Sequence, residues 1–273
     1  MSDDALHDLA ELVADAKALL QAEQALGVRA DSGLELPQVD VPAAAVAPPA
    51  TVAKVASLET PNRWSKLAAE GRELSDAQPQ TLEQVREDLG DCRRCGLCSG
   101  RRNIVFGSGD PHADLLIVGE GPGAQEDRSG VPFVGPAGEL LDQMLRGVLN
   151  LGRDEVYVAN VVKCQPPGNR NPLPLEVTAC LPFLERQIAA VRPKVLLIMG
   201  NVAFKSLFNT TQGITAARGR WTELHGVPAL PTFHPAYLLR KPEDKRLSFE
   251  DLKACSRRYA EVGGKRLGPA KPW

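Results

Sequence analysis

Cysteines at short, regular intervals are the first residues in this chain that could do chemistry. Cys92, Cys95 and Cys98 form a C-x2-C-x2-C run, and Cys164 and Cys180 lie further along the chain. Two sequence-distant pairs of thiolates can hold zinc or an iron–sulfur cluster, and spacing alone does not decide between these metals. Single buried cysteines are common in protein cores, but this grouping favours a metal site in which Cys98 is a spectator.

A glycine-rich segment with acids and one aromatic side chain is the second candidate for chemistry. It spans residues 119–141, GEGPGAQEDRSGVPFVGPAGELL, and contains Phe133 together with Glu120, Glu126 and Asp127. Its glycines lack the G-x-G-x-x-G and Walker patterns of nucleotide sites. Core packing would explain a lone phenylalanine, and solvation would explain the acids. Together, however, an aromatic face and carboxylates suit the hydrolysis of a flat heterocycle.

The pattern after residue 91 predicts an α/β fold that would bring these segments together. Four apolar, β-branched runs predict strands at 114–120, 155–163, 194–200 and 227–235. Helical stretches are predicted at 137–149, 183–191, 201–208 and 249–262. Such alternation indicates a parallel sheet covered by helices on both faces. Ligands bind such sheets beyond the carboxyl ends of the strands, and the glycine-rich and polar segments fall there.

Composition divides the chain into an N-terminal extension and one domain. We expect an acidic amphipathic helix over 1–27, a Pro/Ala-rich linker over 28–60 and a helical lead-in over 61–90. The domain covers 91–262, and 263–273 is expected to be a flexible tail. Because the linker has no apolar pattern that could bury a core, the extension is predicted to be mostly disordered.

Charge is distributed unevenly along the chain. Residues 1–90 carry a net charge of −9 and residues 91–273 a net charge of +7. A basic domain suits a polyanionic partner such as nucleic acid, although an ordinary solvated surface can also be basic. No apolar run approaches the roughly 18 residues that span a bilayer, and the acidic N-terminus resembles no secretory signal. We therefore expect no membrane association and a cytoplasmic, nucleoid-associated location, where the six cysteines would not form disulfides.

Three motifs in a fixed order give a specific resemblance. Segment 119–141 is followed by NVVKCQPPGNRNPLP and then by HPAYLLR, with matching spacing of Cys92, Cys95, Cys164 and Cys180. The region from about 91 to 259 thereby resembles the family 4 uracil-DNA glycosylases, the iron–sulfur branch of the uracil-DNA glycosylase superfamily. The resemblance implies a three-layer α/β/α sandwich around a four-stranded parallel sheet. It also implies that these four cysteines hold a [4Fe–4S] cluster.

The same resemblance implies a pocket that reads an extruded uracil. A base inside a duplex is out of reach, so it has to be flipped into a tight site. Phe133 matches the aromatic that stacks on uracil, Asn160 the amide that reads O4 and N3–H, and His234 the histidine that bonds O2. Gly121, in the glycine turn, is also expected to contact the substrate. Taken singly, Asn160 would be a buried amide bonded to backbone, and His234 a structural histidine.

The motifs offer more than one group for activating water. The better-known branch of the superfamily has a catalytic aspartate one residue after the position of Glu120, where this chain has Gly121. Glu120 is therefore the first candidate for positioning water and opposing positive charge on the sugar. Asn169 is a second polar group that the family brings to the pocket, and Glu126 could instead brace the loop. General-base help is worth roughly 10²–10⁴-fold in rate.

Basic and apolar side chains near the motifs are candidates for holding DNA. Phosphate contacts are expected from Arg170 and Arg240, with further candidates at Arg101, Arg102, Lys163, Arg218, Arg220 and Lys241. Tyr237 and Leu238 could wedge into the gap left by the flipped base. Any single basic residue could equally be solvated surface. The expected partner is uracil-containing DNA bound by a monomer, and the N-terminal extension would suit tethering to a protein partner.

Three other functions compete with this interpretation. A related branch traps uracil covalently through a histidine in an inserted Lys/Arg-rich loop, but the segment KCQPPGNRNPLP has neither feature. A non-catalytic DNA-binding or polymerase-associated protein would not need Phe133, Asn160 and His234 together. A redox-sensing cluster protein finds no support, because the chain has no flavin or nicotinamide motif. The motifs favour an enzyme that hydrolyses the N-glycosidic bond, leaves an abasic site and initiates base excision repair.

Overall fold

The computed structural model describes residues 80–264. The predicted N-terminal helix, the linker and residues 61–79 of the helical lead-in lie outside the described residues, as do residues 265–273 of the predicted tail. None of the helices within 80–264 is long and apolar enough to cross a membrane.

A six-stranded sheet forms the centre of the domain, with strands in the order β1-β3-β2-β4-β6-β5. The strands are β1 Ser108–Gly109, β2 Leu115–Gly119, β3 Tyr157–Asn160, β4 Val195–Met199, β5 Thr222–Leu224 and β6 Val227–Thr232. The four inner strands are parallel, as predicted. The two outer strands, β1 and β5, are antiparallel additions that the prediction of four strands missed. Each is only two or three residues long and has no apolar run.

Helices cover both faces of the sheet, so the predicted three-layer α/β/α architecture is confirmed. They are α1 Leu82–Leu89, α2 Ala124–Ser129, α3 Pro136–Met144 with a π-helical turn at Leu145–Leu149, α4 Pro174–Val191, α5 Asn201–Phe208, α6 Ile214–Ala217, α7 Pro235–Arg240 and α8 Lys245–Glu261. Alternate residues of β2 point to opposite faces, because side chains alternate along a strand. One face packs against α4 and α5 (Leu116, Val118, Leu184, Phe204), and the other against α3 and α8 (Leu115, Ile117, Leu141, Leu252).

Helix α4 is twice as long as the stretch predicted at 183–191 and contains Cys180, which lies before that stretch. Proline normally interrupts a helix interior because it lacks an N–H, so Pro182 made an earlier start difficult to predict. The start is nevertheless well defined. Pro174 occupies the first helical turn, and the Glu176 carboxylate accepts a hydrogen bond from the main-chain N–H of Leu173 at 2.7 Å.

Strand β3 ends at Asn160, three residues earlier than predicted, so Asn160 lies at the carboxyl end of the strand and not in its middle. Asn160 is in register with Gly119, the last residue of β2. The chain then stays beside β2 for two more residues, as the N–H groups of Val161 and Val162 donate to the carbonyls of Gly119 and Glu120. The strand ends therefore place the 119–123 turn next to Asn160.

Candidate active site

The carboxyl edge of the parallel sheet brings together three side chains from distant parts of the sequence. Asn160 ends β3, Phe133 comes from the loop between α2 and α3, and His234 follows β6. The Phe133 and His234 rings are stacked, with centroids 5.4 Å apart and planes inclined by 29°. The predicted stacking residue and the predicted O2 ligand therefore share one site.

Phe133 is held in an unusual backbone conformation. Its φ is +55°, which a bulky residue rarely adopts and which is often found at functional sites. The Phe133 carbonyl accepts a hydrogen bond from the Arg153 guanidinium, and Arg153 is itself paired with Asp142 at 2.7 Å. These contacts fix the loop that presents the ring. Sequence reasoning missed Arg153, because nothing near it marks it as a partner of Phe133.

Gly119 leaves space for the side chains of Asn160 and Phe133. A methyl group placed on Gly119 would lie 2.5 Å from Asn160 Oδ1 and 2.6 Å from Phe133 Cζ. Carbon atoms cannot approach neighbours so closely, so any larger residue would push the amide and the ring away. The absence of a side chain at the end of β2 thus leaves room for two side chains from other elements.

The Asn160 side chain is the most distinctive polar group of the site. It is 1% exposed, and its Oδ1 has no hydrogen-bond partner among residues 80–264. Buried polar atoms are nearly always bonded, and an unmade bond costs about 1–3 kcal/mol. The alternative in which Asn160 is an ordinary buried amide bonded to backbone is therefore not what the structure shows. Its oxygen is left for a group that residues 80–264 do not supply.

The His234 imidazole is held neutral with a defined tautomer. It caps α7, and its Nδ1 accepts a hydrogen bond from the Ala236 main-chain N–H at 3.1 Å. The surrounding protein desolvates the ring and Arg240 opposes a second positive charge, so its pKa falls to about 4. Because Nδ1 is an acceptor, the single proton of the neutral ring resides on Nε2. The residue as a whole is half-buried.

Three of the four acids of the glycine-rich segment, Glu120, Glu126 and Asp127, have different roles. Glu126 accepts hydrogen bonds from three main-chain N–H groups: Gly123 at 3.1 Å, and Val134 and Gly135 at 3.0 Å each. It therefore braces the loop. Asp127 is buried and accepts from the Arg102 main-chain N–H at 2.9 Å. Both carboxylates are committed to the fold.

Glu120 is the acid that the fold leaves available. Its carboxylate makes no hydrogen bond or ion pair with the residues of 80–264. Burial raises the pKa of Glu120 above its ordinary value, and the charge of Arg240 partly opposes this shift. A desolvated carboxylate with a raised pKa is a better proton acceptor than a solvated one.

Gly121 and Asn169 lie on neighbouring loops beside this acid. A methyl group on Gly121 would be 2.7 Å from Val162 Cγ2, so the turn packs directly against the chain leaving β3. Asn169 is exposed, with φ of +56°, and its Oδ1 accepts from Gln165 Nε2 at 2.7 Å. That oxygen is 4.0 Å from the Cβ position of Gly123. The polar loop after β3 therefore borders the glycine turn.

A second pocket gathers the cysteines. Cys92, Cys95, Cys98, Cys164 and Cys180 all line it, so the structure brings together the four predicted ligands and also Cys98. Within 80–264 no three His, Cys, Asp or Glu side chains are arranged to hold a single metal ion.

Cations surround these thiols. Arg94 Nη1 lies 3.4 Å from Cys92 Sγ, and Arg101 Nη1 lies 3.5 Å from Cys164 Sγ. Burial raises the pKa of Cys164 to about 11, and the Arg101 guanidinium opposes that shift. Soft sulfur donors with neighbouring positive charge suit an anionic metal–thiolate group, because the cations offset its charge.

Three of the basic residues proposed as phosphate contacts have structural roles. Lys163 is 1% exposed and bonds two groups inside the domain. Arg101 is nearly buried and bonds the Cys92 carbonyl at 2.6 Å. Arg218 is paired with the buried Asp251. Sequence patterns did not reveal these interior partners. The prediction of a phosphate contact is wrong for the buried Lys163, and for Arg101 and Arg218 it stays a prediction.

The proposed wedge is corrected at Leu238, whereas Tyr237 is half-exposed and stays a prediction. Leu238 is 1% exposed and packs with Phe233 and Leu140, so it cannot enter a DNA stack. The Tyr237 hydroxyl donates to Asp244 at 2.6 Å, which ties that ring to the domain. Leu239 is the exposed apolar residue of this helix, at 43%. Helical periodicity could have placed Leu238 inward and Leu239 outward.

The other five basic residues that were predicted to contact phosphate are exposed. Arg102, Arg220, Arg240 and Lys241 are exposed. Arg170 is exposed but forms a two-pronged ion pair with Glu176, at 2.9 and 2.8 Å. Arg170 therefore secures the loop before α4, while Arg240 is close enough to act on both Glu120 and His234.

Comparison with known proteins agrees with this fold and site. Residues 106–254 match the family model described as the uracil DNA glycosylase superfamily. That range contains Phe133, Asn160 and His234 and most of the sheet. The match covers more than half of the chain and defines the class of protein.

Relatives narrow the class further. The chain is 41% identical over 181 residues to a type-4 uracil-DNA glycosylase of Sulfurisphaera tokodaii, covering 63% of this chain and 82% of that protein. It is 41% identical over 177 residues to one of Thermotoga maritima, covering 63% and 92%. A type-5 uracil-DNA glycosylase of Pyrobaculum aerophilum is 30% identical over 226 residues, covering 77% and 98%. The chain belongs to the type 4 branch of the uracil-DNA glycosylase superfamily.

Proposed function

We propose that this chain removes uracil from DNA by hydrolysing the bond between the base and deoxyribose. The observation that carries this function is the buried, unpaired amide oxygen of Asn160 beside the stacked rings of Phe133 and His234. The names of the type-4 relatives support the same activity. The reaction leaves an abasic site and initiates base excision repair.

Uracil is selected by the hydrogen-bonding pattern of Asn160. The amide oxygen accepts the N3–H of uracil, and the amide nitrogen donates to O4. Cytosine presents an acceptor at N3 and a donor at position 4, so it would leave both groups of the buried amide unpaired. A site built to bond a substrate group rejects an analogue that lacks it by as much as about 10⁴–10⁵-fold.

The base reaches this amide only after it has left the helix, because duplex stacking hides it. The Phe133 ring provides a flat apolar surface against which an extruded pyrimidine can stack. Its positive φ and the Arg153 contact hold that surface in place before DNA arrives. Unstacking costs a few kcal/mol, which stacking and amide contacts in the pocket offset.

His234 stabilises the leaving group. As the N1–C1′ bond breaks, the bonding electrons stay on uracil and negative charge develops at O2. The Nε2–H of the neutral imidazole donates to that oxygen, and the Ala236 N–H keeps the ring in the required tautomer. A preorganised donor aimed at developing charge contributes about 10²–10³-fold in rate.

Glu120 completes the hydrolysis. Its carboxylate opposes the positive charge on the sugar and orients a water molecule, whose oxygen bonds to C1′ while its proton passes to Glu120. Desolvation makes this carboxyl a stronger proton acceptor. Asn169, on the adjoining loop, is a second polar group for positioning water. Because water attacks the sugar, no covalent bond to the protein forms and the enzyme is monofunctional.

Cys92, Cys95, Cys164 and Cys180 would hold a [4Fe–4S] cluster. The donor set fits, since all four sulfurs line one pocket with Arg94 and Arg101 beside them. When bound, the cluster supplies a covalent cross-link between the 92–98 loop, the chain after β3 and helix α4.

DNA would lie across the carboxyl edge of the sheet. Arg240, Arg102, Arg220 and Lys241 supply positive charge there, with Arg170 on the adjoining loop. Leu239 replaces Leu238 as the apolar side chain that could enter the gap in the stack. We propose that the protein acts as a monomer on cytoplasmic, nucleoid DNA, and that its acidic N-terminal extension binds a protein partner.

An oligonucleotide assay tests the activity. Purified holoprotein is incubated with a duplex and a single strand that each carry one uracil, beside matched thymine and cytosine substrates. We expect free uracil in the supernatant and strand scission only after alkali. Scission before alkali would contradict the monofunctional reaction, and no uracil release from iron-loaded protein would contradict the glycosylase itself.

A further inference from the structure

Lys163 is a buried amine that the uracil reaction does not use. It lies three residues after Asn160 and directly before Cys164, and it is 1% exposed. Lysine is almost never fully buried unless it is paired. Yet no carboxylate pairs with it among the residues that the structure describes. The free-energy cost of burying Lys163 therefore indicates that the residue has a specific role.

The Lys163 ammonium bonds the main chain of the base-reading residue. Its Nζ donates to the Asn160 carbonyl oxygen at 2.6 Å and to Gln187 Oε1, also at 2.6 Å. Gln187, on α4, is fixed in turn because its Nε2 donates to the Phe106 carbonyl at 2.9 Å and to the Tyr157 hydroxyl at 3.3 Å. The ammonium thus links the end of β3 to a rigid, fully buried network.

Asn160 depends on its main chain for its orientation. The side-chain oxygen has no hydrogen bond to the described part of the chain, so no hydrogen bond of that atom fixes where it points. The backbone carbonyl of the same residue is, however, held by a charged donor at short range, and charge-assisted bonds are about twice as strong as neutral ones.

We propose that Lys163 is a positioning residue that holds Asn160 in the orientation in which its amide reads uracil. This inference rests on the proposed function. Burial excludes contact with DNA phosphate, and packing alone would be served equally well by an apolar side chain of the same length. Lys163 also lines the cysteine pocket, so a test has to separate an effect on Asn160 from an effect on the metal site.

Lys163→Met is the informative substitution. Methionine has a similar length but no donor, so the Asn160 carbonyl and Gln187 Oε1 lose their shared partner. We expect single-turnover uracil excision to fall by about 10²-fold, the loss that a misplacement of about 1 Å produces. The iron and sulfide content per chain should equal that of the parent protein.

A double-mutant cycle with Asn160→Ala distinguishes positioning from general stabilisation. If Lys163 acts through the Asn160 amide, Lys163→Met should change the rate of the Asn160→Ala protein by less than about twofold, since coupled residues are not additive. Gln187→Met keeps the ammonium but removes its second acceptor. Gln187→Met should lower the rate of uracil excision by less than Lys163→Met does, and this loss should also disappear in the Asn160→Ala background. If Lys163→Met does not fold, Gln187→Met can be used in its place.

Two results would overturn the inference while leaving the glycosylase activity established. One is an additive loss in the cycle, which would make Lys163 a structural residue. The other is a loss of rate that follows the loss of iron, which would assign Lys163 to the cysteine pocket. Inactivity of the unsubstituted holoprotein would instead contradict the proposed function.

Discussion

Two buried polar side chains lie at the same edge of the sheet and differ in whether their oxygen atoms have hydrogen-bond partners. Thr232 ends β6 and Asn160 ends β3. The Thr232 hydroxyl donates to Asp251 at 2.7 Å, and Asp251 also accepts from Arg218 Nε at 3.0 Å. The Asn160 amide oxygen has no such partner within residues 80–264.

This difference separates groups that stabilise the fold from groups that await a ligand. The Thr232, Asp251 and Arg218 side chains satisfy one another, so they have nothing to offer a substrate. Asn160 carries an unmade bond that the fold tolerates at a cost in stability, as functional sites commonly do. Substitutions should therefore affect activity without stability at Asn160, and stability without activity at the Thr232 cluster.

The largest effect on activity is expected at Asn160. Asn160→Ala removes the amide that pairs with uracil, and we expect uracil excision to fall by about 10³-fold or more. The melting temperature should stay the same or rise, since a buried unpaired oxygen is removed. The matched control is Thr232→Val, which should lower the melting temperature and leave the rate unchanged. A loss of rate in both variants would contradict the view that Asn160 serves activity and Thr232 serves stability.

The next largest effect is expected at His234. His234→Ala removes the Nε2–H donor, and we expect a rate loss of about 10²–10³-fold with little change in substrate affinity. The exposed His112 provides the control, because His112→Ala should have no effect. Single-turnover rates at saturating enzyme measure this loss. A change confined to affinity would mean that His234 only binds the base.

Glu120 should set the acid limb of the pH–rate profile. Its carboxylate has to be ionised to take a proton, so the rate falls as pH drops through its pKa, which burial raises above the usual glutamate value. His234, with a pKa of about 4, protonates only at lower pH. Glu120→Gln should cost about 10²-fold and abolish this limb, while exposed Glu139→Gln should change neither. An unchanged limb in Glu120→Gln would assign the titration elsewhere.

The smallest effect on activity is expected in the Thr232 cluster. Arg218→Met leaves the Asp251 carboxylate buried without its cation, and we expect the free energy of unfolding to fall by about 3 kcal/mol. The excision rate per folded molecule should not change. Chemical denaturation gives the first quantity and active-site titration the second. A marked loss of rate with intact stability would place Arg218 in the site.

The sequence predicted the inner sheet because its four strands are continuous apolar runs. It did not predict the edge strands, which are short and not apolar. It also shortened α4, because Pro182 argues against a helix that tertiary packing nevertheless maintains. Local sequence pattern therefore determines the inner strands, while long-range contacts determine the edge strands β1 and β5 and the length of α4.

Sequence motifs identified the site residues, but they did not predict the conformation and partners of these residues. Phe133, Asn160 and His234 were identified by resemblance, and the structure brings them together. The positive φ of Phe133 and the unpaired oxygen of Asn160 depend on neighbours that are far away in sequence. Lys163 was predicted to contact phosphate because the sequence alone does not show the interior hydrogen-bond partners of its side chain.

The Asn160 amide oxygen has no hydrogen-bond partner within residues 80–264, and we expect this amide to pair with uracil. The most direct test is to follow the side-chain amide resonance of Asn160 in isotope-labelled protein, assigned by its absence from the Asn160→Ala spectrum, during titration with free uracil and with cytosine. We predict a shift with uracil and none with cytosine. Equal shifts with both bases, or no shift with uracil at saturation, would contradict the account.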